Sequence, residues 1–263
     1  MRLLIAALGI AAASYLAILV AVFAFQRSLI YPAPAITAAL PAGFLGVELR
    51  TNDGLALKAA YRPATGDMAT VVFFHGNGDS WNGAAVATGQ YAAKGYGVLL
   101  AEYRGYGGNP GRPNEQGLYE DGRAALAFLK SRGIGERKIV LIGNSLGSGV
   151  ATQLATEFHP AALVLISPFA SLPDAAAAHY RWLPVRLLVK DRFDNLSKVG
   201  RINAPMLVLH GGQDAVIPFA NAERLHSAAT KGTLIPFPHS GHELAYTHAA
   251  QVAACDWLKA IGD

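Results

Sequence analysis

The chain has 263 residues, of which 52% are hydrophobic and only 15% are charged, and its formal net charge is +4. This length suits one domain of generous size, and the composition excludes an intrinsically disordered chain. The cationic residues are scattered along the chain, so we expect no nucleic-acid partner. The single cysteine, Cys255, cannot form an internal disulfide, so the fold does not depend on an oxidising compartment.

An uncharged apolar run opens the chain at residues 3–25, between Arg2 and Arg27. As a helix, this run is long enough to cross a hydrocarbon layer of roughly 30 Å. We therefore predict that residues 1–27 are a single-pass transmembrane anchor and that residues 28–263 form the folded domain. The protein is then membrane-anchored, and the side of the membrane stays open because an arginine flanks each end of the run.

The alternative interpretation of this run is a cleaved secretory signal. The apolar region of such a signal is about 7–15 residues long and ends in a small-residue cleavage site. Ala33 and Ala35 could form such a site, but the run is longer than that region. The sequence therefore favours an anchor that is not cleaved.

A hairpin of two antiparallel strands is predicted at the start of the domain. Apolar and polar residues alternate on both sides of Asn52-Asp53-Gly54, and Asp-Gly between such segments is a strong hairpin signal. Short apolar runs bounded by glycine or proline follow, as expected of parallel strands covered on both faces. These runs lie at residues 70–74, 95–103, 138–143, 161–167, 205–211 and 232–237.

Helix-like stretches separate these runs, at residues 81–94, 115–132, 146–158, 220–229 and 243–261. The alternation predicts an α/β fold with a mostly parallel sheet, the antiparallel hairpin at its start, helices on both faces and a minimal cap. The longest stretch without a strand pattern, at about 168–203, leaves room for a short lid-like insertion and not for a second domain.

Ser145 lies between two glycines in Gly143-Asn144-Ser145-Leu146-Gly147, where a predicted strand passes into a predicted helix. This is the G-x-S-x-G pattern of a nucleophile elbow, in which small glycines allow a tight turn and the serine hydroxyl projects above the sheet. The alternative is a glycine-rich turn in which the serine caps the helix. The pattern favours Ser145 as the nucleophile of an acyl transfer.

A second glycine-containing loop, His75-Gly76-Asn77-Gly78, follows an earlier strand. Acyl transfer requires hydrogen-bond donors at the position of the developing oxyanion. We predict that the backbone amides of Asn77 and Leu146 form this oxyanion hole. His75 is expected to be a structural residue at the end of its strand.

A serine nucleophile needs a base that takes its proton and an acid that orients the base. Asp214 follows a predicted strand and His242 precedes the last predicted helix, which gives the order serine, acid, histidine. We therefore predict a catalytic triad of Ser145, Asp214 and His242, with His239 as the nearest rival base. The rival acids lack a strand-end position at the right distance along the chain: Asp191, Asp194 and Glu243.

No metal or cofactor site is predicted. The histidines do not have the spacing of metal ligands, and one cysteine cannot supply a metal site. The glycine-rich stretches at 76–83 and 105–111 do not reproduce a dinucleotide-binding or P-loop pattern.

Together these motifs resemble the serine-hydrolase members of the α/β-hydrolase superfamily, and more narrowly its membrane-anchored ABHD-type branch, in which one N-terminal helix precedes a nearly cap-free domain. The resemblance covers almost the whole chain. It rests on several motifs in order: QRSLIYPAP, FFHGNG, AEYRGYGGNPGRPNEQGLYEDGRAAL, GNSLGSGVA, SPFASL, LVLHGGQDAVIP and SGHE. The chain departs from the usual pattern at Gly108 and Asn109, where many relatives carry serine, and in the loop after Asn77. The resemblance therefore does not extend to the shape of the substrate.

The residues and the resemblance imply a serine hydrolase that cleaves carboxylic esters or thioesters, of lipids or acylated proteins, through an acyl-enzyme on Ser145. The alternatives are a serine peptidase or amidase of the same fold and a catalytically silent membrane-tethered interaction domain. Serine at the elbow argues against dehalogenation and epoxide opening, which use aspartate there. We expect a monomer whose partners are a membrane and a small-molecule or lipid acyl substrate.

Overall fold

The apolar N-terminal run forms one long helix, α1 (Arg2–Ile30), in a computed structural model that describes residues 1–33 and 39–262. By length and composition, this helix is able to span a membrane, and a signal sequence would pass the same test. Ala35, one of the two alanines of the alternative cleavage site, lies outside the described residues. The division into an anchor and a folded domain stays a prediction.

A single mixed sheet forms the centre of the described part of the chain. Its strands are β1 (Leu45–Arg50), β2 (Ala56–Arg62), β3 (Thr70–Phe74), β4 (Gly97–Ala101), β5 (Ile139–Asn144), β6 (Ala162–Ile166), β7 (Met206–Gly211) and β8 (Gly232–Phe237). Their spatial order is β1-β2-β4-β3-β5-β6-β7-β8. The crossovers place the carboxyl ends of β3, β5, β6 and β7 side by side at one edge of the sheet.

The predicted antiparallel start of the sheet is confirmed. β1 pairs with β2 in the register Leu45 to Tyr61 through Arg50 to Ala56, and β2 is antiparallel to β4. The turn between β1 and β2 places Gly54 at φ +88°, a conformation that glycine adopts without steric cost. The remaining neighbours, from β4 to β8, are all parallel.

Helices cover the sheet on both faces, as predicted. Val72 and Phe74 of β3 pack into the hydrophobic cluster on one face, and Val71 and Phe73 pack into the cluster on the other face. Residues of β3 are therefore buried on both faces, which explains a continuous apolar run in place of an alternating one. The helices of the described chain are α2 (Trp81–Ala87), α3 (Gly89–Ala93), α4 (Glu115–Ser131), α5 (Leu146–Glu157), α6 (Leu172–His179), α7 (Val185–Leu188), α8 (Leu196–Val199), α9 (Ala220–Ala228) and α10 (His248–Gly262).

Two predicted helices are each divided in the structure. The stretch 81–94 is interrupted at Thr88, whose hydroxyl donates to the carbonyl of Ala84 at 2.8 Å. The stretch 243–261 begins with a 3-10 turn over His242–Tyr246, and α10 starts only at His248. In both places, a threonine side chain bonds to a backbone group of the preceding turn and competes with the regular helical pattern.

The insertion between β6 and β7 carries three short helices, α6, α7 and α8, and not the irregular chain that its sequence suggests. Its two ends are tied together, because Leu172 N donates to Arg192 O and Leu196 N donates to Ala170 O, both at 2.9 Å. Its role as a lid stays a prediction.

Candidate active site

Ser145 occupies a strained turn between β5 and α5. Its backbone has φ +50° and ψ −114°, a left-handed conformation that is uncommon for a residue with a Cβ. The N–H of Ser145 donates to Ile166 O at 3.0 Å, which fixes the turn against the neighbouring strand β6. The strain therefore coincides with the position that the sequence assigns to the nucleophile.

The two glycines of the motif are required by close backbone contacts. A Cβ on Gly143 would lie 2.5 Å from Gly147 O, and a Cβ on Gly147 would overlap the carbonyl oxygen of Phe74. In both cases the obstacle is backbone, which cannot move aside like a flexible side chain. The sharp turn thus explains both glycines.

The structure brings Ser145, Asp214 and His242 together. His242 Nε2 is 3.0 Å from Ser145 Oγ, and His242 Nδ1 is 2.8 Å from Asp214 Oδ2. A carboxylate only accepts hydrogen bonds, so Nδ1–H donates to Asp214, and Nε2 is left to accept from the serine hydroxyl. The rival base His239 is exposed on the loop before this turn and takes no place in the chain of bonds.

Asp214 is held as a charged acceptor. Its Oδ1 accepts two backbone N–H groups, from Val216 and Ile217, each at 2.8 Å. Burial acts to raise the pKa of Asp214, but the hydrogen bond from His242 and those from Ile217 and Val216 outweigh it and lower the pKa below its ordinary value. The carboxylate therefore stays ionised and keeps His242 in one tautomer.

His210 lies behind Asp214 and was predicted to be structural or solvated. The structure buries it completely, with Nε2 at 2.8 Å from Ile217 O and 3.4 Å from Asp214 Oδ2. Burial lowers the pKa of His210, which favours the neutral ring. This ring supports the loop that carries Asp214.

The two predicted oxyanion donors both border the cavity at Ser145. Leu146 is the first residue of α5, so its N–H belongs to the helical turn that has no intrahelical acceptor, at the positive end of the helix dipole. Asn77 lies on the loop after β3, and its side-chain oxygen is 3.5 Å from the Tyr106 hydroxyl. The position of these amides suits an oxyanion at Ser145.

Glu102 supports this loop, a role that the sequence does not predict. Its Oε1 accepts from His75 Nε2 at 2.9 Å, and its Oε2 accepts from Trp81 N at 2.9 Å. His75 Nδ1 is in turn 2.8 Å from Gly76 O. Burial acts to lower the pKa of His75, but the hydrogen bond and charge of Glu102 outweigh it and raise the pKa above its ordinary value. The hydrogen bonds of His75 therefore tie the loop to the end of β4.

A cavity of about 430 Å³ adjoins Ser145 and His242. The insertion supplies part of its wall, from Phe169 to Tyr180. Leu29 and Ile30, at the end of α1, form a further part of the wall, which the sequence did not predict. Its other apolar lining residues include Phe169, Leu172, Ala175, Ala176, Val216 and Ile217.

Neither acidic nor cysteine side chains line this cavity among the described residues. In the same part of the chain, no group of three histidine, cysteine, aspartate or glutamate residues is placed to hold a metal ion. The arrangement at Ser145 is suited to nucleophilic attack on a carbonyl carbon next to an apolar group.

Comparison with known proteins agrees with the fold. A hydrolase family model, described as serine aminopeptidase, matches residues 66–196. An uncharacterised protein of Mycobacterium tuberculosis is 42% identical over 227 residues, which cover 82% of this chain and 80% of the relative. The chain belongs to the α/β-hydrolase superfamily. It is a hydrolase by membership of this family.

One further relative and one solved structure carry functional names. The lysophosphatidylserine lipase ABHD12 of Danio rerio is 32% identical over 206 residues, covering 68% of this chain. The hydrolase spans about half of that lipase, 53% of its length. A solved esterase of Pyrococcus furiosus superposes with a TM-score of 0.69 at 22% identity, over 88% of this chain and 96% of the esterase, which shows the shared fold.

Proposed function

We propose that this hydrolase cleaves carboxylic esters or thioesters through an acyl-enzyme on Ser145. The observation that carries the proposal is the continuous chain of hydrogen bonds from Ser145 Oγ through His242 to Asp214, at 3.0 and 2.8 Å. His242 takes the serine proton as Oγ attacks the carbonyl carbon, and the Asp214 carboxylate stabilises the resulting imidazolium. His242 then returns the proton to the departing alcohol or thiol.

The second half of the reaction uses the same groups. Water loses a proton to His242 and attacks the acyl carbon, which releases the acid and restores Ser145. In both halves, the amides of Asn77 and Leu146 bind the negatively charged oxygen of the tetrahedral intermediate. Loss of one such donor typically lowers turnover by about 10²–10³.

An acyl chain is the substrate group that fits the cavity best. The lining around Ser145 is mainly aliphatic and aromatic, and its volume of about 430 Å³ is within the usual range of small-molecule sites. The lipase name of the Danio rerio relative supports lipid esters, and acylated proteins fit the same chemistry. We therefore propose a single acyl chain as the recognised group.

A serine aminopeptidase is the second candidate, because the matching family model carries that description. An aminopeptidase has to bind the terminal ammonium group of a peptide, for which a carboxylate is the usual partner. None of the described residues that line the cavity is acidic. The lining thus favours acyl esters over aminoacyl amides.

We also propose that α1 is retained as the membrane anchor. Its last residues contact the folded domain and contribute Leu29 and Ile30 to the cavity wall. Removal of α1 would therefore open the site to water. The mass of the protein isolated from a membrane fraction distinguishes a retained anchor from a cleaved signal. Cleavage would shorten the chain by about the length of α1.

Hydrolysis of short and long acyl esters by the purified full chain and by Ser145→Ala tests the proposed reaction. We expect the variant to lose nearly all activity, by about 10⁶-fold as in other serine hydrolases. An unchanged rate would refute the proposal. Labelling of Ser145 by a fluorophosphonate provides a second test, since a catalytically silent interaction domain would leave this serine unreactive. A parallel assay with aminoacyl amides decides between esterase and aminopeptidase.

A further inference from the structure

The N-terminal helix lies along the insertion over much of its length. Tyr15 donates from its hydroxyl to Trp182 O at 2.9 Å, and the ammonium group of Lys190 lies 3.9 Å from the centre of the Phe23 ring. Tyr15 and Phe23 are two turns of α1 apart. The contact is therefore a lengthwise one and involves more than the end of the helix.

The end of α1 is fixed to the insertion by polar contacts. The buried side chain of Gln26 donates to Leu188 O at 3.1 Å and accepts from Lys190 N at 2.7 Å. Arg27 donates to both carboxylate oxygens of Asp191, at 3.2 and 3.3 Å. Backbone and side-chain groups both take part in these bonds. They fix the position of the end of α1 against the insertion.

The contacts between α1 and the insertion limit how α1 can cross a bilayer. The part of α1 before Tyr15, residues 2–14, is about 20 Å long at 1.5 Å per residue. The hydrocarbon layer is roughly 30 Å thick, so the free part is too short to span it. If α1 crosses the layer, Tyr15 lies roughly 10 Å inside the face nearest the domain, and Trp182 enters the membrane with it.

The surface of the insertion at this level has the composition of a membrane interface. Trp182 is 57% exposed, Leu187 is 86% exposed and Tyr180 is 52% exposed. Arg181, beside Trp182, is also exposed, and the exposed Arg186 pairs with Asp174. Exposed aromatic and aliphatic side chains beside an arginine whose long side chain can extend to the headgroups are typical of segments inserted about 5–10 Å into a bilayer.

The cavity at Ser145 lies between the same two elements. Leu29 and Ile30 of α1 form one side of it, and Ala176 and Tyr180 of the insertion form another. The exposed Tyr180 connects the cavity wall to the apolar surface around Trp182. The cavity and the exposed surface around Trp182 thus share Tyr180.

We propose that residues 180–187 enter the same bilayer as α1, and that a single-chain lipid passes between α1 and the insertion to reach Ser145 without leaving the membrane. The route of the substrate rests on the proposed esterase function, whereas the insertion of residues 180–187 into lipid does not. The source of the acyl group is therefore the bilayer and not the aqueous phase.

Fluorescence quenching tests the position of the segment. The full chain is reconstituted in vesicles of phosphatidylcholine and phosphatidylglycerol that carry brominated acyl chains, with Trp182→Phe as the comparison. Trp81 is buried and Trp257 is half-buried, so Trp182 is the exposed tryptophan among the described residues. We expect bromine to quench a component that the variant lacks. Equal fractional quenching in both proteins would overturn the proposal.

Kinetics test the route of the substrate. For Leu187→Glu, we expect the ratio of hydrolysis of a long-chain ester in vesicles to that of a water-soluble short ester to fall about tenfold, because a charge resists burial in lipid. Val86→Glu, at another exposed apolar position, on α2, should leave this ratio unchanged. An unchanged ratio in Leu187→Glu overturns the route. If the parent does not hydrolyse esters, the proposed function is refuted. The insertion of residues 180–187 into lipid is not, because the quenching experiment tests it separately.

Discussion

His75 and Glu102 form a buried ion pair next to the loop that carries Asn77, with His75 Nε2 at 2.9 Å from Glu102 Oε1. Both nitrogens of the His75 ring face acceptors, the second being Gly76 O. A ring that donates from both nitrogens is the imidazolium form. The pair thus couples the protonation of a buried histidine to the position of the proposed oxyanion loop.

The first prediction concerns the pH dependence of stability. Because the pKa of His75 is higher in the folded chain than in the unfolded chain, its contribution is fully present below about pH 6.5. The contribution is lost as the pH rises through the higher, folded value. The free energy of unfolding of the full chain in detergent should therefore decrease between pH 6 and pH 9, and more steeply than in Glu102→Gln.

Glu157→Gln is the matched control for this experiment. Glu157 also forms a short ion pair, with Arg123, but an arginine does not titrate in this pH range. Its variant should keep the slope of the parent. Glu102→Gln also leaves one acceptor oxygen for two donors, His75 Nε2 and Trp81 N, and should cost about 1–3 kcal/mol. Identical pH slopes in the parent and Glu102→Gln would contradict the assignment.

The second prediction distinguishes the proposed acid, Asp214, from Asp194, one of its rivals on the insertion. In Asp214→Asn, the side chain no longer fixes the Nδ1–H tautomer of His242, so turnover of an acyl ester should fall by about 10⁴. In Asp194→Asn, the amide oxygen can still accept from Ser197 N, and turnover should stay within about threefold of the parent. Steady-state kinetics measure both. A comparable loss in Asp194→Asn would show that the acid has been assigned to the wrong residue.

The third prediction tests the close packing of the elbow. In Gly147→Ala, the added methyl group meets the carbonyl oxygen of Phe74, and neither backbone can yield without moving β3 or α5. We expect a loss of at least about 1–3 kcal/mol of folding free energy. Gly135→Ala is the control, because its position has φ −74° and open space at the Cβ. Thermal denaturation that fails to distinguish the two variants would rule out this explanation of the motif.

The sheet and the elbow could be predicted from the sequence because their causes are local. Residues 71–74 are all apolar because both faces of β3 are covered. Gly143 and Gly147 indicate a turn that is formed by their own segment. The same holds for Gly54 in the hairpin. The class of fold and the position of Ser145 therefore follow from patterns within a few residues.

The rest of the site depends on contacts between distant residues. Glu102 and His75 are 27 positions apart, and nothing in the stretch around either residue indicates the other. The part of Leu29 and Ile30 in the cavity wall depends on how α1 lies against the insertion. A hydrophobicity pattern identifies α1 as a possible membrane span but contains no information about its contacts with the domain.

The last prediction concerns the attachment of α1 to the insertion. The buried carboxylate of Asp191 accepts from Arg27 and, at 3.0 Å, from the hydroxyl of Tyr31. In Asp191→Asn, the charge is lost and the guanidinium of Arg27, whose side chain is already half exposed, has no anionic partner there. We expect the end of α1 to open more often. Trypsin should then cut the chain after Arg27 about tenfold faster, as a loss of about 1.4 kcal/mol in the free energy of local opening would produce.

Asp174→Asn provides the comparison for this proteolysis experiment. Asp174 lies on the same insertion and pairs with Arg186 and Arg224, but its bonds do not involve α1. Its variant should be cut after Arg27 at the rate of the parent, which mass spectrometry of the released fragment measures. Equal cleavage in Asp191→Asn and the parent would mean that Gln26 and the apolar contacts hold α1 without the ion pair. Faster cleavage in both variants would indicate a general loosening of the insertion. Of these two aspartates, Asp191 is the one that contacts Arg27.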